Sequence, residues 1–521
     1  MKNQREKKFN FENIFVFEMA NNHQGQLEHG KRIINEIAKV VEPFGIRSAM
    51  KFQFRDIDTF IHPDYKKRKD LKHIPRFVET RLSDKEFKEL LMEVKDKGFI
   101  SVCTPFDEIS VDKIIRMDFD IIKVGSCSAH DWPLLEKIAQ TGKPVICSIG
   151  GLTIKEIDSV VSFFEHRGVD FSLMHCVAIY PVPYNEFHLN QIEIMRNRYP
   201  GITVGFSTHE APDDDSIIQL AYASGARMFE KHIGIETDKI KLNTYSATPA
   251  QVGRWLTAYK KAVEVCGDAK ERLISEKEKT DLVSLMRGIY AKKDIKKGAT
   301  IKRSDVFFAM PLLDGQLTSG RWKDNLRADR QYKAKKPLDQ SLSSGEKSKT
   351  EIIYPITRAI RGMINNAKIV LSHEFSVELS HHYGLEEIEK TGCAIIECIN
   401  NAEYAKKLII QLPGQWNPLH YHKKKDETFQ VLVGNLTIEI SGREKKLEPG
   451  DTLRVPRGVW HGFGTEEGVI FEEISSASYN DDSFYVDKKI ANLSREERKT
   501  YLNNWGRHQF DEVKAKHKKH K

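Results

Sequence analysis

Two histidines and a glutamate in the segment HYHKKKDE, late in the chain, have the spacing of metal ligands. His420 and His422 alternate along one predicted strand and therefore face the same side, and Glu427 follows five residues later. A second segment, GDTLRVPRGVWH, ends on His461. Three imidazoles and one carboxylate suit Mn, Fe, Ni or Zn. The sequence therefore predicts a divalent metal site, as opposed to histidines on a solvent-exposed face.

Polar side chains also interrupt apolar runs in the first half of the chain. Lys51 and Lys123 lie inside the runs AMKFQF and IIKVGS. A lysine buried in this way needs an anion or a carboxylate partner, although an ion pair would explain either one alone. Together with nearby hydroxyl groups, the two lysines predict a cradle for phosphate and carboxylate groups. The hydroxyl residues are Thr104, Ser126, Ser148 and Ser207.

His209 and His232 lie at the ends of the last two apolar runs in the first half of the chain, residues 202–208 and 227–233. A single histidine at a strand end is usually structural, but two on neighbouring strands can converge on one divalent ion. We therefore expect a second metal site at these two residues. Glu18 and Gln53 lie near the ends of the first two runs and are expected at the same place. His175, in the sixth run, is interpreted as a hydrogen-bonded core residue.

The elements that must position these residues are eight short β-rich runs that alternate with amphipathic helical segments over the first 267 residues. Segments such as SDKEFKELLMEVKDKG carry apolar residues three and four apart behind a capping residue. Eight such units predict an α/β fold, the (β/α)8 TIM barrel, with its active site at the carboxyl ends of the strands. The predicted strands are residues 15–20, 48–54, 99–106, 120–126, 144–150, 171–177, 202–208 and 227–233.

Length and composition limit the class of protein. With 521 residues, the chain is long enough for about three domains, and 40% hydrophobic with 30% charged residues is typical of a soluble globular protein. No apolar run approaches the ~20 residues of a membrane span. The charged start MKNQREKKFNFEN lacks a secretory signal, so we expect a cytoplasmic protein without membrane insertion.

The net charge of +8 comes largely from Lys-rich tracts such as KAKHKKHK at the end of the chain. We interpret this tract as a solvated tail and expect no nucleic-acid partner. Seven cysteines without CxxC pairs indicate neither a zinc module nor a disulfide scaffold. Those in apolar runs, which are expected to be reduced core residues, are Cys103, Cys127, Cys147 and Cys176.

An ordered series of motifs resembles a known family. FEMANNHQG, MKFQ, CTPFDE, KVGS, MHCVAIYPVPY, GFSTHE and FEKH occur in the order, and near the spacing, of the sialic acid (N-acetylneuraminate) synthase family. The segment RGIYAKKDIKKGATIKRSDVFFAMP, residues 287–311, resembles the antifreeze-like (SAF) domain of that family, a small β-rich module. The resemblance covers about the first 345 residues.

The resemblance implies an enzyme that condenses phosphoenolpyruvate with the open-chain aldehyde of an amino sugar, giving a nonulosonic acid for surface polysaccharide synthesis. It implies a homodimer in which the antifreeze-like domain covers the partner's barrel mouth. It places Mn2+ on His209 and His232 with Glu18 beside it, and substrate on Gln53 and Tyr180. The residues implied to hold phosphoenolpyruvate are Lys51, Thr104, Lys123, Ser126, Ser148 and Ser207.

Departures from the family pattern fall on the side of the acceptor sugar. They are Ser128 for a glutamate, Ala178 for an asparagine, Thr208 for an aspartate, Leu242 and Asn243 for a GPD motif, and Met310 for an arginine. Because the donor and metal residues survive, we expect an intact phosphoenolpyruvate reaction on an aldose other than N-acetylmannosamine. The alternative is a degenerate barrel that binds a sugar without turning it over.

The two metal-ligand segments resemble both motifs of the cupin superfamily, a small β-barrel fold. The matching residues are Gly414, His420, His422, Glu427 and Gly434 in the first motif and Gly450, Pro456, Gly458 and His461 in the second. Cupins include dioxygenases, sugar isomerases and sugar binders, so the role of the metal stays open. Fusion to a synthase suggests that this domain isomerises or senses the acceptor sugar, and isomerisation would make the chain bifunctional.

These patterns predict five segments, with a boundary in the polar stretch DQSLSSGEKSKTE. They are a barrel domain over residues 1–280, an antifreeze-like domain over 281–345, a linker or lead-in to the cupin over 346–390, a cupin domain over 391–490 and a basic tail over 491–521.

Overall fold

The computed structural model describes residues 8–71, 73–207, 209–268, 272–343, 347–476, 479 and 482–506. The chain divides into two compact units, Met1–Arg272 and Leu273–Lys521. Two features named above, Thr208 and the Lys-rich end from residue 507 onward, lie outside the described residues. Among the described helices, none combines the length and the apolar character that crossing a membrane would require.

The first unit contains a closed barrel of eight parallel strands in chain order, with the last strand paired to the first. Each predicted run overlaps one of these strands, so the predicted TIM barrel is confirmed. The strands are β1 (Ile14–Glu18), β2 (Arg47–Phe54), β3 (Ile100–Pro105), β4 (Ile121–Val124), β5 (Val145–Ser148), β6 (Phe171–Cys176), β7 (Val204–Ser207) and β8 (Phe229–His232).

Local capping determines where several helices of this unit begin. Ser83 and Thr153 each accept a hydrogen bond from the backbone of the third helical residue, where Glu86 and Glu156 bond back. The apolar faces of the helices join one core cluster with strand residues. The helices are α1 (Leu27–Val41), α2 (Ile57–Phe60), α3 (Ile74–Glu79), α4 (Asp84–Asp96), α5 (Glu108–Met117), α6 (Trp132–Ala139), α7 (Ile154–His166), α8 (Asn190–Arg198), α9 (Ser216–Ala223) and α10 (Pro249–Cys266).

Strand alternation divides the barrel interior into an apolar part and a polar end. Ile14, Val16 and Glu18 alternate along β1, so the first two join an apolar interior cluster and the third lies at the carboxyl end. The register pairs Glu18 with Lys51 on β2 and with His232 on β8. Residues far apart in the sequence are therefore neighbours at one end of the barrel.

The second unit begins with helix α11 (Glu276–Leu285) and a small β-rich body. In this body, β9 (Gly288–Ala291) pairs antiparallel with β11 (Val306–Ala309), and β10 (Thr300–Ile301) pairs with β12 (Leu326–Arg327). The body has its own hydrophobic core. A small β-rich module is expected at this place, and its identity as an antifreeze-like domain stays a prediction.

Two packed antiparallel sheets form the rest of the second unit, with short helices α13 (Lys488–Ala491) and α14 (Arg495–Arg498) before the last strand. The strands are β13 (Ser376–Ser380), β14 (Cys393–Asn400), β15 (Tyr404–Gln411), β16 (Trp416–Tyr421), β17 (Glu427–Gly434), β18 (Leu436–Ile440), β19 (Arg443–Leu447), β20 (Thr452–Val455), β21 (His461–Gly464), β22 (Val469–Ser476), β23 (Phe484–Tyr485) and β24 (Lys499–Asn503). One sheet has the order β20-β17-β22-β15-β14-β13-β24, and the other has the order β19-β18-β21-β16-β23. Phe429, Phe463 and Phe471 belong to the core between them.

The described residues 347–390, predicted as a linker or lead-in to the cupin, carry regular structure. Helix α12 (Lys349–Asn366) buries isoleucines such as Ile353 in a core that it shares with Val377 of β13 and Leu502 of β24. Strand β13 pairs with β24 in the seven-stranded sheet. The sheet therefore extends on both sides beyond the range 391–490 assigned to the cupin.

One expectation about the cysteines is wrong. Cys103, Cys147 and Cys176 are buried and free, as expected, but Cys127 is exposed. The reason is that strand β4 ends at Val124, which leaves Cys127 in the turn that follows the strand.

Candidate functional site

At the carboxyl end of the barrel, two buried lysines converge on one carboxylate. The Nζ atom of Lys51 lies 2.6 Å from Oε1 of Glu230 and 2.7 Å from Oε2 of Glu18. The Nζ atom of Lys123 lies 2.9 Å from Oε2 of Glu230. All four side chains are almost fully buried. Their two positive and two negative charges balance, which compensates each ion for its removal from water.

These contacts shift the pKa values of the charged groups. Burial lowers the pKa of Lys51, but attraction to Glu18 and Glu230 outweighs it and raises the pKa above its usual value. Burial dominates for Lys123, so its pKa falls. Burial also raises the pKa of Glu230, yet the two lysines hold it well below the usual range of a carboxylic acid. Glu230 therefore stays ionised and holds both ammonium groups at the site.

Glu230 is not predicted from the sequence as a site residue, although its spacing from His232 in the segment FEKH indicates that it faces the site. Glu230 and His232 are two residues apart on β8 and therefore point to the same side of the strand. A carboxylate that shares the interior of a barrel with two strand lysines is a natural partner for them.

A second set of contacts orients Glu18. Its Oε1 accepts a hydrogen bond from the backbone N–H of Ala20 at 2.5 Å, and its Oε2 accepts one from Nε2 of Gln53 at 3.1 Å. Gln53 in turn accepts a hydrogen bond from Arg55, whose guanidinium stacks on Phe77 and a second aromatic ring. Gln53 and Arg55 border a cavity of about 510 Å3. Sequence reasoning missed Arg55, because it lies just beyond the strand motif.

The predicted hydroxyl residues lie near the charged cluster with different partners. Ser207 donates a hydrogen bond to Oε1 of Glu230 at 3.2 Å, and Ser126 accepts one from the backbone N–H of Gly150 at 3.0 Å. Ser148 is buried at the end of β5. The hydroxyl of Thr104 is buried and has no hydrogen-bond partner among the described residues. An unsatisfied buried hydroxyl costs stability, so Thr104 is a candidate ligand contact.

His209 and His232 lie side by side, with ring centroids 5.2 Å apart. Nδ1 of His209 lies 3.1 Å from the carbonyl oxygen of Val177, which favours the tautomer that leaves Nε2 free to bind a metal. Burial lowers the pKa of both rings to about 3, so both are neutral. Two neutral imidazoles beside Glu18, which pairs with His232 across the strands, fit a divalent ion such as Mn2+.

Two tyrosines border the histidine pair. The ring of Tyr180 is 4.2 Å from that of His209, and the ring of Tyr245 is 5.1 Å from that of His232. Tyr180 is a predicted site residue, whereas Tyr245 lies in a turn without a recognisable motif. Asn243 shapes this turn, since its Oδ1 accepts a hydrogen bond from the backbone N–H of Tyr245 at 3.1 Å.

The structure also locates the histidine interpreted as structural and several residues that depart from the family pattern. His175 is buried, and its Nε2 lies 2.8 Å from the carbonyl oxygen of Phe187, which confirms it as a core residue. Ser128 is buried beyond β4, and Ala178 is exposed beyond β6. Met310 is exposed and belongs to the second unit.

In the second unit, His420, His422 and His461 form a buried cluster whose candidate ligand atoms all lie within 4.8 Å of one another. Each Nδ1 faces a backbone carbonyl oxygen, at 2.8 Å for His420 and 3.0 Å for His461. Burial lowers the pKa of His420 well below its usual value. The contacts of the Nδ1 atoms leave the Nε2 atoms of the three rings available to a metal.

Glu427, the fourth predicted ligand, lies beside the histidine cluster. Its Oε1 lies 3.4 Å from Nε2 of His422, and its Oε2 lies 3.2 Å from Nε2 of His461. Within the described part of the chain, Oε2 of Glu427 and Nε2 of His461 are buried and make no hydrogen bond of acceptable geometry. Two unsatisfied ligand atoms in one buried cluster fit a metal ion.

Lys425 also belongs to this centre. It is not predicted from the sequence, because Lys425 is one of three consecutive lysines. Its Nζ contacts Oε1 of Glu427 and lies 2.9 Å from Oε1 of Glu473. Burial lowers the pKa of Lys425, but attraction to the two carboxylates outweighs it and raises the pKa above its usual value. Because Lys425 lies in the turn between β16 and β17, strand alternation does not predict its direction.

Two family models match this chain. The model of the NeuB family matches residues 45–271, and the model of the cupin domain matches residues 408–472. The first range lies in the eight-stranded barrel, and the second lies in the two-sheet domain of the second unit.

Individual relatives are similar to this chain over more residues than the NeuB family model matches. An uncharacterized protein of Methanocaldococcus jannaschii is 30% identical over 300 residues, which cover 57% of this chain and 85% of the relative. The N,N'-diacetyllegionaminic acid synthase of Campylobacter jejuni is 26% identical over 310 residues, which cover 57% of this chain and 90% of that enzyme. The crystal structure of a spore coat polysaccharide biosynthesis protein E from Chromobacterium violaceum is similar at 44% identity and a TM-score of 0.59, covering 63% of this chain and 98% of that one.

Proposed function

Because the chain belongs to the NeuB family, we propose that its barrel condenses phosphoenolpyruvate with an open-chain aldose to a 3-deoxy-2-ulosonic acid and releases phosphate. The chain is an enzyme of the nonulosonic acid synthase type, like its relatives named as legionaminic acid and pseudaminic acid synthases. The acceptor and the residue roles below are part of the proposal.

The observation that carries the proposal is the buried charged cluster at the polar end of the barrel. Lys51 and Lys123 supply positive charge for the phosphate and carboxylate of the donor, and Glu230 keeps them charged before the donor binds. Preorganised charge of this kind orients a trianionic donor without a cost of reorganisation during the reaction. The hydroxyl groups assigned to the same donor are Thr104, Ser126, Ser148 and Ser207.

His209 and His232 would hold Mn2+, which when bound supplies Lewis-acid stabilisation of negative charge on the aldehyde oxygen. The neutral state of both rings and the neighbouring carboxylate of Glu18 support this assignment.

In the proposed reaction, carbon three of phosphoenolpyruvate bonds to the aldehyde carbon, and the aldehyde oxygen takes up a proton to become a hydroxyl. Water adds to carbon two, and the carbon–oxygen bond to phosphate breaks. Glu18 is assigned to accept the proton of that water, because Ala20 and Gln53 hold its carboxylate in one orientation.

On the acceptor side, we propose an aldose other than N-acetylmannosamine. Ser128 offers a neutral hydroxyl where the family has a carboxylate, and the cavity beside Gln53 and Arg55 offers a cation and an amide. The difference at Ser128 favours an acceptor with another pattern of polar groups, which the cavity could contact. A homodimer with an exchanged antifreeze-like domain, and a cytoplasmic location, are proposed from the resemblance alone.

The test is phosphate release from phosphoenolpyruvate with a panel of aldoses and divalent metals, followed by mass spectrometry of the acid formed. Lys123→Ala and His232→Ala should abolish release. Lys137→Ala should leave it unchanged, because Lys137 pairs with Asp112 on the outer helices. If no aldose supports release, the alternative of a non-catalytic sugar-binding barrel is favoured.

A second candidate function belongs to the cupin, which we propose holds Mn, Fe, Ni or Zn through His420, His422, Glu427 and His461. The unsatisfied ligand atoms of Glu427 and His461 support this site. The metal content of the wild-type chain, compared with that of the His420→Ala/His461→Ala variant, tests it. Interconversion of candidate aldoses by the wild type alone would identify an isomerase and a bifunctional chain.

A further inference from the structure

The cupin contains a cavity of about 320 Å3 whose lining includes His420 and His422 of the histidine cluster. Charged side chains from five strands, from the turn between β16 and β17 and from helix α14 also line it. The charged lining residues are Glu378, Glu397, Lys407, Lys425, Glu473, Arg495 and Lys499, together with the ligand Glu427. A cavity of this volume lies at the small end of the ~300–1,000 Å3 typical of ligand sites, so it suits a monosaccharide better than a chain of sugars.

Strand alternation separates an inner ion pair from an outer one on the same two strands. Lys407 and Glu473 face the cavity with Nζ and Oε1 3.7 Å apart, and their side chains are 12% and 8% exposed. Their sequence neighbours Lys406 and Glu472 face outward, with Nζ and Oε1 2.8 Å apart. The outer pair sits on a surface in contact with water, whereas the inner pair contributes polar groups to a cavity.

Glu378, which also lines the cavity, is the centre of a second cluster. Its Oε1 lies 2.5 Å from Nζ of Lys499, and its Oε2 lies 3.7 Å from a guanidinium nitrogen of Arg495. Arg495 also contacts the hydroxyl of Tyr501, which pairs with Glu378 across the strands. The lining of the cavity therefore contains a second group of paired ions besides Lys407 and Glu473.

Stability alone does not explain why these ions surround a cavity. Buried ion pairs are a weak source of stability, because the loss of hydration offsets their attraction. The cupin is already stabilised by two apolar clusters, one between the sheets and one under α12. Charged groups gathered around a cavity next to metal ligands are better explained by a bound polar molecule.

Charge balance identifies the class of that molecule. The four cations Lys407, Lys425, Arg495 and Lys499 match the four carboxylates of Glu378, Glu397, Glu427 and Glu473 among the lining residues of the described chain. A divalent ion on the histidine cluster would add two positive charges to this neutral set. The loaded pocket would then favour an anion, while its alternating acceptors and donors match hydroxyl groups.

We propose that the cupin pocket binds a monosaccharide-sized sugar acid, a polyhydroxylated α-keto or α-hydroxy carboxylate. This is the class of product that the proposed barrel reaction forms, so the inference deepens the proposed function and rests on it for the source of the acid. The carboxylate of the ligand meets the excess positive charge that a divalent ion on the histidine cluster would add, with Lys407 and Lys425 as donors in the same lining, and its hydroxyl groups meet carboxylates such as Glu473. The pocket thus selects the acid over the neutral acceptor aldose.

The test is isothermal titration of the full-length chain, loaded in turn with Mn2+, Ni2+ and Zn2+, with N-acetylneuraminate. N-acetylmannosamine and glucose 6-phosphate serve as the neutral and the phosphorylated comparison. Lys407→Met should weaken binding of N-acetylneuraminate at least about tenfold, because a charge-assisted contact is lost. Lys406→Met, the matched outward lysine, should change it less than about twofold.

Double variants separate this site from the barrel. The binding event should persist in His209→Ala/His232→Ala and disappear in His420→Ala/His461→Ala, and metal content measured on the same samples reports the proposed metal site independently. Equal or tighter binding of N-acetylmannosamine or of glucose 6-phosphate, or equal effects of Lys406→Met and Lys407→Met, would overturn the inference. Binding of N-acetylneuraminate that persists in a chain without cupin metal would also overturn the inference, because the described lining alone has balanced charges.

Discussion

The barrel and the cupin each bury a glutamate among lysines and histidines, but they assemble it differently. In the barrel, Lys51 and Glu230 are 179 residues apart in sequence, and only closure of the barrel brings them together. In the cupin, Lys425 and Glu427 are neighbours in one motif, and Glu473 lies 48 residues from Lys425. The more compact motif gives the clearer sequence signal, yet the dispersed centre is the one assigned to the main reaction.

The two glutamates also differ in what remains available to a ligand. Both carboxylate oxygens of Glu230 have a lysine partner, at 2.6 Å from Lys51 and 2.9 Å from Lys123. Oε2 of Glu427 has no hydrogen bond within the described residues. Glu230 therefore acts as a counter-ion that holds two lysines, whereas Glu427 retains an oxygen for a metal. The two glutamates are therefore assigned different roles, because both oxygens of Glu230 contact lysines whereas one oxygen of Glu427 does not.

The largest expected effect is the loss of phosphate release when a lysine of the proposed donor site in the barrel is replaced. Lys123→Met should lower phosphate release from phosphoenolpyruvate by at least ~10³-fold, since it removes a preorganised positive charge from the donor site. Steady-state phosphate release measures this effect, with Lys137→Met on the outer helices as the control. Unchanged release in Lys123→Met would place the reaction elsewhere.

Next in size is the stability effect of the two carboxylates. Glu230→Gln should lower the free energy of unfolding by about 3–5 kcal/mol, because it leaves two buried ammonium groups without their shared partner. Glu427→Gln should cost less, since Lys425 keeps Glu473. Urea denaturation of both variants makes the comparison, and a larger cost for Glu427→Gln would contradict it.

The contribution of Glu378, in the cupin pocket, to the free energy of unfolding should depend on pH. Burial raises the pKa of Glu378, but Lys499 outweighs it and lowers the pKa from 4.5 to about 2. A depressed carboxyl pKa stabilises the fold above about 4.5, and this contribution is lost as the pH falls toward 2. The stability difference between wild type and Glu378→Gln should therefore shrink by up to about 3 kcal/mol across this window. Urea titrations at stepped pH measure it, and a difference that is constant with pH would refute this role of Glu378.

Metal removal should give the smallest effect and should separate the two centres. At free metal about 100-fold above its dissociation constant, binding stabilises the folded state by about 2.7 kcal/mol. A chelator should therefore lower the cupin melting temperature in wild type and in His209→Ala/His232→Ala. It should have no effect on that transition in His420→Ala/His461→Ala. Calorimetry of the three chains checks this, and a chelator response that persists in the last one would point to other ligands.

The linker prediction shows where local patterns stop being informative. Residues 349–366 have helical periodicity, but Pro355 inside the segment argues against a helix. Helix α12 forms nevertheless, because its isoleucines pack into the core under the seven-stranded sheet. Strands β13 and β24 pair across more than a hundred residues, and no local pattern indicates that partnership.

The sequence by itself determined the eight β-α units, the capped helices and the candidate ligands His420, His422, Glu427 and His461, because periodicity, capping and motif spacing are local properties. The tertiary structure alone decided that Glu230 bridges Lys51 and Lys123 and that Lys425 joins Glu427 to Glu473. These ion pairs depend on which residues a closed register brings to the same depth. That depth is set by strand pairing and packing across the whole domain, which no single segment of sequence encodes.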